Sequence, residues 1–182
     1  MQSALVPRKR LLDSLHAVLL IVSGGQTGTD RAALDWAIAR GVPHGGWCPS
    51  GRVAEDGPIP EHYRLRETPG ANYAQRTEWN VRDSDATLIV SIDAELAGGS
   101  LLTQKVARGS GKPHLHVARG HCRAEVVRAF LQRHRVRILN VAGPRASKEP
   151  EVYAYTLALL DAVFTGGPAT RRKARRGTLR TS

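Results

Sequence analysis

Residues 19–35 read LLIVSGGQTGTDRAALD, an apolar run of strand type that halts at Gly24-Gly25 and gives way within a few residues to a helical pattern. A strand, a glycine-rich turn and a helix N-terminus in immediate succession turn backbone N–H groups toward the positive end of a helix dipole. That arrangement suits a phosphate or another anion. A second apolar run, Ala86-Thr87-Leu88-Ile89-Val90, leads to Gly98-Gly99-Ser100 and then to another helical stretch. Two such turns in one small chain predict a nucleotide-like ligand held between them.

Strand-like and helix-like segments alternate from Ala17 to Phe164. Strands are expected near 18–23, 86–92, 113–117 and 136–141, and helices near 29–40, 72–83, 99–108, 123–134 and 150–164. The last is expected to carry Pro150 in its first turn. Residues 44–70, rich in Gly and Pro, read as a long functional connection with at most short strands near 44–47 and 63–67. The alternation predicts an α/β fold, a Rossmann-like, mostly parallel sheet with helices on both faces. In such sheets ligands lie beyond the carboxyl ends of the strands, where both glycine turns fall. The chain divides into an N-terminal extension (1–16), one ligand-binding domain (17–166) and a basic tail (167–182).

At 182 residues the chain is one domain with tails, enough to bury about two-thirds of its unfolded surface. The net charge of +11 is unevenly placed. Residues 171–182 hold six basic residues and the first ten hold three, neither with an acid, leaving 18 basic against 16 acidic residues in the body. Nucleic acid is therefore a partner only through the tail, whose composition cannot build a core. No apolar run approaches the roughly 18 residues of a membrane span, so no membrane partner is expected. Cys48 and Cys122 are too few and too far apart for a disulfide framework or a zinc site, and a reduced, cytoplasmic protein fits.

The first turn supplies Gly24, Gly25 and Gly28 for close backbone approach, with Gln26, Thr27 and Thr29 as side-chain donors around the same anion. It lacks the Gly-Lys-Ser/Thr of a Walker A loop and is not a GxGxxG with a downstream ribose acid, which excludes those two readings. Gly98, Gly99 and Ser100, with Thr103, form the second cradle. Arg52, in the long connection, could clamp a phosphate. Arg76, Thr77 and Asn80 share a helix face suited to an anion, and Asn140, Gly143 and Arg145 reach the same sheet edge after the last strand. Asp30, Glu55 and Asp56 are the acids available for catalysis, to read hydroxyls or to activate water. The seven histidines make no metal spacing, and no G-x-S-x-G elbow is present.

The ordered motifs SGGQTGTDRAALDWA, GGWCPSGRVAEDG, YAQRTEWNVRDSDATLIV, GGSLLT followed by GKPHLHV, and NVAGPRASKEP resemble the molybdenum-carrier family. That family is a circularly permuted branch of the SLOG superfamily, and the resemblance covers residues 17–164. It implies a Rossmann-like fold that binds a nucleotide, a nucleotide-derived ligand or molybdenum cofactor (a phosphate-bearing pterin), often as a homo-oligomer. Related superfamily members are phosphoribohydrolases with a catalytic glutamate after their glycine motif. Here Gly98-Gly99-Ser100-Leu101-Leu102-Thr103-Gln104-Lys105 has no acid at that place. The expected activity is therefore binding of a small phosphate-bearing ligand, with N-glycosidic hydrolysis of a nucleotide as the alternative and nucleic-acid interaction through the tail as a third.

Overall fold

In a computed structural model, residues 18 and 20–165 of the chain can be described. The first strand, β1 (Leu20–Val22), is short, and helix α1 (Thr29–Arg40) follows the glycine turn. The helix stops where Gly41 takes a left-handed conformation, φ 65°, and its N–H caps the carbonyls of Ala37 and Ile38. The chain then adds β2 (His44–Gly45) beside β1 in parallel.

The long connection holds more structure than the sequence pattern suggests. β3 (Trp47–Cys48) pairs in parallel with β6 (Arg66–Glu67), and between them β4 (Val53–Ala54) and β5 (Gly57–Pro58) make a small antiparallel hairpin. Leu34, Cys48, Ala54, Ile59 and Tyr63 form a second apolar cluster beneath this layer. Backbone and side-chain bonds together secure the connection, with the Arg66 and Thr68 amides donating to the Gly46 and Cys48 carbonyls at 2.9 and 2.8 Å. Tyr63 and Tyr153 both donate their hydroxyls to Asp35, at 2.8 and 2.7 Å.

Helix α2 (Tyr73–Arg82) is capped by Asn72, whose side chain accepts from the Ala74 amide. It leads to β7 (Ala86–Ser91), in which every residue is buried. Burial on both faces is why this strand reads as an unbroken apolar run rather than an alternation. Helix α3 (Gly98–Gly109), β8 (His114–Ala118), α4 (Ala124–Arg133), β9 (Ile138–Ala142) and α5 (Val152–Thr165) complete the described chain. Helix α3 starts at the glycine pair itself, and α5 starts after Pro150 rather than around it.

The main sheet is parallel throughout, in the order β2-β1-β9-β7-β8. The pleat divides the residues of β7. Ala86, Leu88 and Val90 join the main core with Ala33, Trp36 and Ala37 of α1, Val127 and Leu131 of α4, and Leu159, Leu160 and Val163 of α5. Thr87 and Ile89 point the other way, toward the layer formed by α2 and α3. Helices therefore cover both faces, the Rossmann-like α/β architecture that the alternation predicts. The last strand in sequence, β9, lies between β1 and β7. Asp85 fixes its start by accepting from the Arg137 and Ile138 amides at 2.9 and 2.8 Å.

Among the described residues, no helix is long and apolar enough to cross a membrane.

Candidate functional site

Where the chain leaves β7 and β9 at their carboxyl ends, the two exits border a cleft of about 470 Å³. The α2 face supplies Tyr73, Arg76 and Thr77; the β7–α3 turn supplies Asp93, Glu95 and Gly98 to Ser100; the segment after β9 supplies Gly143, Arg145, Lys148 and Glu149. Gln26 and Asp30 reach it from the first glycine turn. This is the crevice at a topological switch point, because the connections from β1 and β7 leave β9 on opposite sides.

The two glycine turns differ in kind. In the first, three backbone N–H groups already have partners: Gln26 donates to Asp30 Oδ2 at 3.3 Å, Thr27 to Gln26 Oε1 at 3.0 Å, and Thr29 to the Pro144 carbonyl at 3.2 Å. The space over the glycines is also filled by protein. A Cβ on Gly24 would lie 1.5 Å from Arg76 Nη1, one on Gly25 2.6 Å from Leu65 Cδ1, and one on Gly28 2.5 Å from the Pro144 carbonyl. Gly24, Gly25 and Gly28, where an open anion cradle is expected, are thus packed against protein on their Cα side. Close approach does demand glycine there, but what approaches is the chain itself. Thr29 donates to the Val90 carbonyl at 3.1 Å, and Thr27 bonds Glu55 and accepts from the Ala146 amide.

The second turn is open. A Cβ on Gly98 or Gly99 would meet nothing within 4 Å. Helix α3 begins with no side-chain cap on its N-terminal amides, which leaves them free to bind an anion. Ser100 is only 3% exposed and lines the cleft, and its hydroxyl has no hydrogen-bond partner among the described residues. Thr103 donates to the Gly99 carbonyl at 2.9 Å and Thr77 to the Tyr73 carbonyl at 3.0 Å, so these two hydroxyls are engaged with their own helices.

Arg76 crosses from α2 to Asp30, its Nη1 donating at 2.9 Å in a pair whose carboxylate is almost wholly buried. Burial pushes the Asp30 carboxyl above its usual 3.8, against the pull of the Arg76 charge and the bonds it accepts from Arg76 and the Gln26 amide. The Nε of Arg76 is buried without a hydrogen-bond partner among the described residues.

Several expected site residues lie elsewhere. Arg52 is a correction: its guanidinium donates to the carbonyls of Ile59, Pro60, Tyr63 and Leu65 and staples the connection together. Asn80 is held by the backbone of Trp47, accepting from its N–H at 2.8 Å and donating to its carbonyl at 2.9 Å. Asn140 donates to Thr87 Oγ1 at 3.2 Å within the sheet. Neither Glu55 nor Asp56 lines the cleft. Glu55 ties Thr27 to Ser147, and Asp56 holds Arg31 through both carboxylate oxygens.

The cleft also contains groups that sequence reasoning passed over: Tyr73, Asp93, Glu95, Lys148 and Glu149. Lys148 and Glu149 stand in the run that follows Arg145, and Glu149 accepts from the Ile92 amide, tying the two strand exits together. Beside them, Ser91 Oγ lies 2.7 Å from the Asp93 carbonyl oxygen and 2.7 Å from His116 Nε2, the direction of the second bond following the imidazole tautomer.

These features define a Rossmann-like α/β domain with a cleft at the carboxyl edge of a parallel sheet. The chain belongs to the circularly permutated YpsA SLOG family, whose sequence model matches residues 21–164. It is similar to a crystal structure from Syntrophus aciditrophicus SB described as a "Putative molybdenum carrier protein": 48% identity over 81% of this chain and 95% of that one, with a TM-score of 0.79. A distant likeness to (E)-4-hydroxy-3-methyl-but-2-enyl diphosphate reductase, at 9% identity and a TM-score of 0.32 over 81% of this chain and 65% of that one, is too low to bear on fold or function. No curated protein matches the chain.

Proposed function

We propose that this protein binds a small phosphate-bearing ligand, a nucleotide derivative or a pterin of the molybdenum-cofactor type, and carries or senses it. The observation that carries this reading is the open N-terminus of α3. Uncapped amides at Gly98 and Gly99 lie in one cleft with Arg76, Lys148 and Ser100, whose hydroxyl has no hydrogen-bond partner among the described residues. Amides at a helix N-terminus together with an arginine and a lysine are the usual equipment for an anion. The 48%-identical relative, described as a carrier of molybdenum, supports the same class of ligand. The two cysteines, both free, support a reducing, cytoplasmic setting.

The test is isothermal titration of the full chain with inorganic phosphate, AMP, GMP and molybdenum cofactor, alongside Gly99→Asp. That substitution places a carboxylate at the amides, where a Cβ has open space and where an acid favours the helix itself. The variant is expected to fold normally and to lose binding at least tenfold, about 1.4 kcal/mol. Unchanged affinity in Gly99→Asp overturns the site.

A second reading, hydrolysis of a nucleotide's N-glycosidic bond, is favoured by one observation. Asp30 lines the cleft and its carboxyl is pushed up, as suits an acid or base. Product analysis on the same titrations separates the two. Free base that disappears in Asp30→Asn makes the protein a hydrolase, and ligand recovered intact makes it a carrier.

A further inference from the structure

Among the described residues, Tyr73 is the one tyrosine of the four whose hydroxyl has no hydrogen-bond partner. Tyr63 and Tyr153 donate to Asp35, and Tyr155 donates to the Ala118 carbonyl. Its ring also packs against no other aromatic among the described residues, and the residue is 45% exposed. Helix geometry makes this position notable. Tyr73, Arg76, Thr77 and Asn80 stand at i, i+3, i+4 and i+7, the face by which α2 packs inward, and Thr77 and Asn80 are buried on it. The ring continues that inward face one turn past the end of the packed core, so it lines the cleft, in company with Leu96 and Leu102. The Arg76 guanidinium lies 6.0 Å from the ring centroid.

We infer that Tyr73 is a stacking platform that selects ligands with a flat heteroaromatic ring over those with the anionic end alone. The inference rests on the phosphate-binding reading above and assigns the other end of the ligand. A molecule anchored at the α3 amides and Arg76 has its remaining part beside Tyr73. The lining there includes the Tyr73 ring and two leucines, which suit a planar ring and offer a bare sugar phosphate little. Aromatic stacking tolerates any flat base, so the residue sets a class rather than one compound.

The experiment is titration of wild type, Tyr73→Ala and Tyr73→Trp with AMP, GMP, ribose 5-phosphate and inorganic phosphate. In wild type both nucleotides are expected to bind about tenfold more tightly than ribose 5-phosphate. In Tyr73→Ala that ratio falls toward one while phosphate affinity holds, and in Tyr73→Trp the ratio is kept or increased. Equal binding of nucleotide and ribose 5-phosphate by wild type, or a ratio unchanged in Tyr73→Ala, overturns the stacking role and leaves the phosphate site standing. Failure of all four probes to bind wild type overturns the phosphate site and this inference with it.

Discussion

Glu55 shows how a residue suited to catalysis can be committed to structure. It accepts from the Ser147 amide at 3.1 Å, bonds the Ser147 and Thr27 hydroxyls, and lies 3.7 Å from Arg145. Partial burial pulls its pKa up, but the bonds from Ser147 and Thr27 and the Arg145 charge prevail and hold it below the usual 4.5. A depressed carboxyl binds its proton less tightly folded than unfolded. Its contribution is therefore present above about pH 4.5 and lost as pH falls through the lowered value. Glu55→Gln is expected to cost about 1 kcal/mol at pH 7, and the gap from wild type should close in urea melts below pH 4.5. A gap constant with pH would mean that the carboxylate charge plays no part. A sequence can show an acid near a glycine loop; it cannot show that a serine 92 positions away will occupy that acid.

The elements themselves were largely legible. Each long strand and helix lies close to where its apolar pattern and its glycine or proline stops put it, because burial on a period of two or four is a local property. The β4–β5 hairpin was not, since two-residue strands carry no period. The roles of the glycines were half legible. Gly24 and Gly98 announce close approach or unusual backbone alike, and only the fold decides whether protein or ligand fills the space. Gly143 makes the distinction testable. It joins β9 to the segment that lines the cleft, and a Cβ on it would lie 2.1 Å from the Val90 carbonyl and 2.4 Å from Thr29 Oγ1. Gly143→Ala forces β7, β9 and α1 apart and should cost about 1–3 kcal/mol, seen as a lowered Tm. Gly99→Ala, with open space around it, should leave Tm unchanged or slightly higher. Equal effects of the two would contradict this packing.

For the whole molecule, the sequence showed an α/β sheet but not its strand order, which depends on pairings between distant segments. The long basic run at residues 171–182 lies outside the described residues, as do the first ten. The strand order has a consequence for how the protein comes into being. With β9 seated between β1 and β7, the centre of the sheet is the last part of it to be synthesised. Until then β1 and β7 each present an open edge with unpaired backbone groups, a hazard during synthesis. A ribosome-bound chain arrested before Ile138 should be cut readily by protease, and one long enough to free Thr165 from the ribosome should resist. On this strand order the cleft between the exits of β7 and β9 comes into existence only once β9 has taken its place at the centre of the sheet.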